Sequence, residues 1–180
     1  CISGGAQQSG DETVPTVIDH TGALTEQQVA ALEEWNRDYI GMDSSLEWVN
    51  TKGFSTMEIL TVHEEDGVYT MEVLEGSALF SWLLHGTEHD GGVAAWYFGI
   101  PMACRETMTW DGAQFTFLDM ESVGETVQTG DEELDVSGFS EEARQRMEET
   151  GAGLASVVKN LCRQAESWYG CGVYQSYVLR

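Results

Sequence analysis

The chain has 180 residues, of which 31 are Asp or Glu and only eight are Lys or Arg, giving a formal net charge of −23 at pH 7. A field of that sign repels nucleic-acid phosphates and anionic lipid headgroups, so direct nucleic-acid binding is not an expected function. The hydrophobic content of 42%, with six residues each of Trp, Tyr and Phe, is typical of a folded domain and not of a disordered acidic tail.

The first 14 residues predict a flexible tether. Residues 3–13 are dominated by Gly, Ser and Gln and contain no aliphatic or aromatic side chain beyond the methyl of Ala6. A chain that begins with a cysteine followed by such a segment resembles a bacterial lipoprotein after removal of its signal peptide. We therefore expect Cys1 to carry lipid and to hold the protein at an extracytoplasmic membrane surface; the alternative is an ordinary soluble chain. Residues 15–180 are predicted to form one globular domain.

The first predicted helix has clear start signals. Thr25 is a suitable N-cap, and Gln28, three residues later, completes a capping box. Leu24 and Val29 occupy the two positions of a hydrophobic staple. Gly41 is predicted to end the helix.

Between residues 54 and 120 the apolar period changes from that of a helix to that of a strand. The alternation from Tyr69 to Val73 is typical of half-buried antiparallel strands. Asp66-Gly67 and Asp111-Gly112 fall between such segments and predict tight two-residue hairpin turns, because both residue types tolerate positive φ angles.

The C-terminal part predicts one long helix followed by a strand. Ser140 is a suitable N-cap, and the apolar spacing up to Trp168 alternates strictly between four and three residues. That regularity predicts a helix that continues through Gly151, despite the destabilising effect of glycine. A final strand is expected over residues 172–179.

Together these elements predict an α+β fold. It consists of an N-terminal helix, an antiparallel β-sheet of about five to seven strands, a long C-terminal helix packed on one face and a final C-terminal strand.

The four cysteines allow one internal disulfide if Cys1 is lipidated. Cys162 and Cys171 are the favoured pair. The helix rises about 10 Å from Cys162 to Trp168, and the extended chain after Trp168 returns about the same distance to Cys171, so the two side chains could meet. Such a bridge suits an oxidising compartment. The alternative is that the three remaining cysteines are small buried residues, and Cys104 shares strand parity with core positions.

One loop has residues that favour metal binding. His85, Glu88 and His89 match the spacing H-x-x-E-H, in which two histidines bind zinc and a glutamate activates water, and Asp90 adds a carboxylate. Neighbouring glycines favour a loop over the helix that such an enzyme needs. We therefore expect at most a divalent-ion site there, and no other cofactor.

The favoured function is a non-enzymatic, lipid-anchored binding module for a cationic protein, peptide or toxin. The chain lacks G-x-S-x-G, a phosphate-binding glycine loop and C-x-x-C. A metal-dependent hydrolase using the His85–Glu88–His89 loop is one alternative. An acidic inhibitor, or a structural protein whose charge serves solubility, is another.

Overall fold

The computed structural model describes residues 15–40, 49–83, 96–99, 101–124, 133–169 and 177–179. In these ranges the fold is α+β, as predicted, with a mixed β-sheet and helices on both of its faces. The elements in chain order are β1 (Val17–Asp19), α1 (Glu26–Ile40), β2 (Val49–Glu65), β3 (Val68–Leu83), β4 (Trp96–Gly99), β5 (Met102–Trp110), β6 (Phe115–Ser122), α2 (Glu141–Thr150), α3 (Leu154–Tyr169) and β7 (Tyr177–Leu179).

Two long strands, β2 and β3, form the centre of the sheet as an antiparallel hairpin. Asp66 and Gly67 close it with φ angles of 53° and 81°, the positive values that a type I′ turn requires, which confirms the first predicted turn. The β5–β6 connection contains Gly112 with φ of 99° but spans residues 111–114. It is longer than predicted because the Asp111 carboxylate accepts the N–H groups of Ala113 and Gln114 and so stabilises a wider turn.

The prediction of an all-antiparallel sheet is wrong. β1 pairs parallel with β2, and β4 pairs parallel with β7. Helix α1 lies between β1 and β2 in the chain, and such a crossover allows two consecutive strands to run in the same direction. Three-residue strands such as β1 are too short to give a periodic signal in the sequence.

Each face of the sheet is covered by helices. On one face α1 contributes Leu32 to an apolar core with Met71, Val73, Cys104 and Met108. On the other face α2 and α3 lie against β2 and β3. The side chains of Glu75, Cys104 and Glu106 share the α1 face, because Glu75 has the same strand parity as Val73 on β3, and Cys104 and Glu106 have that of Met108 on β5.

The start of α1 confirms the predicted capping box. The backbone N–H of Thr25 donates to Gln28 Oε1 at 2.9 Å, and the backbone N–H of Gln28 donates to Thr25 Oγ1 at 3.1 Å. Two N–H groups at the helix start are therefore satisfied reciprocally. None of the helices in the described ranges is long and apolar enough to span a bilayer.

The predicted continuous C-terminal helix is wrong, since the chain forms two helices, α2 and α3. Gly151 ends α2 in the left-handed conformation, with φ of 74°, and its N–H donates to the carbonyl of Met147 at 2.9 Å. The helix restarts with Gly153, whose carbonyl accepts from Val157. Met147 and Leu154 stay seven residues apart across the break, so the apolar spacing in the sequence does not reveal it.

Gly151→Ala should lower the free energy of unfolding by about 1 kcal/mol, because alanine pays a steric cost in the left-handed region. Gly153→Ala is the matched control: the added Cβ meets no atom within 4 Å at either position, but Gly153 is not in the left-handed region, so we expect a smaller loss there. Urea denaturation of both variants measures the difference. Equal losses at the two positions would contradict the role given to Gly151.

Candidate functional site

Most residues predicted to form sites lie outside the described residues. These are Cys1, Cys171 and the loop from His85 to Asp90; Cys162 has its backbone in α3, but its side chain is not described. The lipid anchor, the disulfide and the loop metal site therefore stay predictions. Cys104 is a free cysteine with no exposed surface, which confirms its predicted place in the core.

The structure shows instead a group of buried glutamates that the sequence reasoning missed. Glu58, Glu72 and Glu106 are 2%, 4% and 1% exposed. A buried carboxylate is costly unless hydrogen-bond donors or a cation compensate for its lost hydration. The three glutamates differ in how many hydrogen-bond donors and cations lie next to their carboxylates.

Glu58 is compensated by three side chains, one that follows β1 and two on α3. Its Oε1 lies 2.8 Å from His20 Nε2, and its Oε2 accepts from Ser156 Oγ at 2.7 Å and from Asn160 Nδ2 at 3.4 Å. His20 and Ser156 bind opposite oxygens of the carboxylate. The histidine is therefore not placed as a base for the serine hydroxyl, as nucleophilic catalysis would require.

Glu72 is compensated by the start of α2 and by an arginine. Its carboxylate accepts from Thr61 Oγ1 at 2.9 Å and from the backbone N–H of Ser140 at 2.8 Å, while the Ser140 hydroxyl donates at 2.5 Å and Arg105 Nη2 lies 3.4 Å away. Burial alone would raise the pKa of Glu72, but the bonds from Ser140 and Thr61, together with Arg105, outweigh it and lower the pKa. This glutamate is ionised and joins β3 to α2.

The third group consists of Glu75, Cys104 and Glu106. Glu106 and Cys104 are buried and Glu75 is half-buried, and one donor atom from each lies within 4.8 Å of the others. Glu106 Oε2 has no hydrogen-bond partner. We refer to these three residues as the Glu75–Cys104–Glu106 cluster.

Burial and the closeness of the three groups shift the pKa values of the cluster's members. Burial, and then the neighbouring charge of Glu75, raise the pKa of Glu106 to about 10. Burial also raises the pKa of Glu75, an effect partly opposed by hydrogen bonds to Glu106 and Cys104. Burial and the two carboxylates raise the pKa of the Cys104 thiol. Two carboxylates this close cannot both be ionised in an apolar core unless a cation joins them.

A second feature is the outer strand β6, which forms a ladder with β5 and with no other strand among the described residues. It carries exposed apolar side chains: Phe117 is 39% exposed, Leu118 53% and Met120 42%. The ring of Trp35 on α1 stacks on Phe117 at a centroid distance of 6.0 Å. Exposed apolar residues on an edge strand are unusual, since such edges promote association.

One side of the β6 backbone has no strand paired to it in the part of the chain that the structure describes. The N–H of Val123 donates to the carbonyl of Ala103 at 3.0 Å, and backbone groups alternate in direction along an antiparallel ladder. It follows that the N–H and C=O groups of Met120 and Ser122 point away from β5. Acidic Asp119 and Glu121 alternate with Met120 along the strand.

Comparison with known proteins gives no relative from which to infer a function. No family model, no curated protein and no solved structure matches this chain. The site therefore has to be assigned from its own chemistry.

One signal in the sequence could have located the buried cluster. Glu106 has the same strand parity as Cys104 and Met108, which the alternation of β5 places in the core. A carboxylate at such a position is rarely buried without a partner. The sequence does not identify Glu75 as that partner, because their contact depends on the register between β3 and β5.

Proposed function

We propose that this protein is an acidic, non-enzymatic binding module that takes an extended cationic segment of a partner protein or peptide along the edge strand β6. The observation that carries the proposal is the combination of exposed apolar side chains and an outward-facing backbone on one strand. Such an edge can bind a peptide as an added strand: backbone hydrogen bonds give affinity, and alternate side chains give specificity.

The apolar part of the proposed surface comprises Phe117, Leu118 and Met120. Trp35 supports Phe117 from α1, so the aromatic part of the surface is held in place before a partner arrives. A preorganised surface loses less conformational entropy on binding. Apolar residues of the partner would pack on this side.

The charge of the surface favours a cationic partner. Asp119 and Glu121 are exposed, and among the described residues Glu121 forms an ion pair with Arg105, whose Nη1 lies 3.6 Å away. A second copy of the chain would bring like charges together and would add another net charge of −23. A segment that alternates basic and apolar residues satisfies both features of β6.

The rest of the domain forms the frame for this edge. We propose that residues 15–180 fold as one domain. A lipid on Cys1 would present that domain at an extracytoplasmic membrane surface, but binding along β6 does not depend on it.

The test is fluorescence anisotropy with a short labelled peptide that alternates lysine and valine. The same peptide with alternate backbone nitrogens methylated cannot form the ladder and should not bind. Leu118→Ala should weaken binding by about tenfold, whereas Thr116→Ala, an exposed residue of the same strand, is the control and should leave it unchanged. Met120→Pro should abolish binding while the ladder to β5 stays intact, because it removes an N–H that points outward.

Affinity should fall as the salt concentration rises, and Asp119→Asn should reduce that dependence. The proposal is wrong if the methylated peptide binds as well as the parent peptide. It is equally wrong if Leu118→Ala and Thr116→Ala have the same effect.

A further inference from the structure

We propose that Glu75, Cys104 and Glu106 form a buried binding site for a divalent metal ion of the zinc class. This site lies inside the domain, on the α1 face of the sheet, and is independent of binding along β6. It is also separate from the predicted loop site at His85, Glu88 and His89.

The contrast with the other buried glutamates points to a missing ligand. Glu58 and Glu72 each have donors on both carboxylate oxygens. Glu106 is 1% exposed, yet among the described residues its Oε2 has no hydrogen-bond partner, and a second carboxylate and a thiol each have a donor atom within 4.8 Å of it or of its companion oxygen. A divalent cation would compensate both carboxylates and complete the coordination of the unpartnered oxygen.

A second unpartnered polar group lies on the helix that covers this face. Asn36 is 2% exposed, and its Nδ2 has no hydrogen-bond partner. It follows Leu32 by one helical turn and so lies on the same side of α1, and Leu32 packs with Cys104 in the core. Groups around a metal site commonly hydrogen-bond its ligands or its bound water, and this amide is an unpartnered donor on the helix that covers the cluster's face.

The donor set selects the kind of metal. A thiolate with two carboxylates suits zinc and its neighbours, whereas calcium and magnesium prefer oxygen ligands alone. Ligand atoms around a tetrahedral zinc lie roughly 3.3 to 3.8 Å apart, so atoms within 4.8 Å need to close by about 1 Å. Cys104 loses its thiol proton as the metal–sulfur bond forms.

Cobalt(II) titration of the metal-free full-length chain tests the proposal. Cobalt replaces zinc and shows a near-ultraviolet charge-transfer band only when a thiolate binds it. We expect this band to saturate at one ion per chain and to disappear in Cys104→Ser. Cys162→Ser is the matched control for the other thiols and should retain the band.

Glu106→Gln serves as a second variant, because glutamine has the shape of the neutral acid and should preserve the fold. It should weaken cobalt binding by at least about tenfold. Asp119→Asn, an exposed carboxylate, and the double variant His85→Ala/His89→Ala should bind as the wild type does. Absence of the band in the wild type, its survival in Cys104→Ser, or its loss only in the histidine variant would each overturn the proposal.

Discussion

Glu72→Ala is expected to lower the free energy of unfolding by about 3 kcal/mol at neutral pH, because it removes the acceptor for several donors at once. The hydroxyl of Thr61 and the backbone N–H of Ser140 would both lose their partner. Ser140 is also the N-cap of α2, since its hydroxyl accepts from the N–H of Ala143. The change therefore weakens the attachment of α2 to β3 as well as one buried network.

The pH dependence of this effect has a definite sign. The pKa of Glu72 is lowered on folding from its ordinary value of 4.5, so its ionised form stabilises the folded state above that value. This stabilisation is lost as the pH falls through the lowered, folded-state pKa. The difference between wild type and Glu72→Gln should accordingly shrink in acid, which denaturant unfolding at neutral and acidic pH would measure.

Glu121→Ala provides the matched control for Glu72. Glu121 also lies close to Arg105, but its side chain is 63% exposed. Exposed ion pairs of this kind contribute about 0 to 1 kcal/mol. If the two alanine variants lost the same stability, Arg105 and not the buried network would be the source of the effect.

Gly76→Ala should be the second strongly destabilising change, with a loss of about 2 to 3 kcal/mol. Gly76 lies on β3 beneath α3, and a Cβ added there would come within 2.4 Å of Val157 Cγ1 and 3.1 Å of Leu161 Cδ1. Non-bonded carbon atoms do not approach each other to 2.4 Å, so α3 would have to move away from the sheet.

A double-mutant cycle separates this overlap from other effects of replacing glycine. Val157→Ala on its own removes buried apolar volume and should destabilise the protein by about 2 kcal/mol. In the Gly76→Ala background it also relieves the overlap, so the double variant should be more stable than the two single losses predict. Strict additivity would show that α3 does not pack on Gly76 as described.

The elements that the sequence predicted correctly are those defined by neighbouring residues. Thr25 and Gln28 satisfy each other across three residues, and Asp66-Gly67 needs only its own backbone angles. The break at Gly151 is also local, but it preserves the apolar spacing and therefore leaves no trace in it. Parallel pairing of β1 with β2 depends on a crossover that periodicity does not report.

The candidate sites were less predictable, for a related reason. Strand parity places Glu106 on the core face, but its contact with Glu75 depends on which residue of β3 lies opposite each residue of β5. Likewise, Phe117 and Met120 lie three residues apart, and only a register shift between β5 and β6 places both on the same face as Met108 and Glu106. Only the topology shows that β6 is an outer strand and that these side chains are exposed.

β4 and β5 keep one common register along β3. Glu75 lies opposite Met102 and Ala78 opposite Gly99, an advance of three residues on both sides, so the interruption before Pro101 neither adds nor removes a residue. The two strands therefore lie in line along β3 and act as one composite strand. β2, β3, this composite strand and β6 then form a simple meander in which neighbours in space are consecutive in the chain. Pairing these strands during folding costs little chain entropy, because each strand pairs with the strand that precedes it in the sequence.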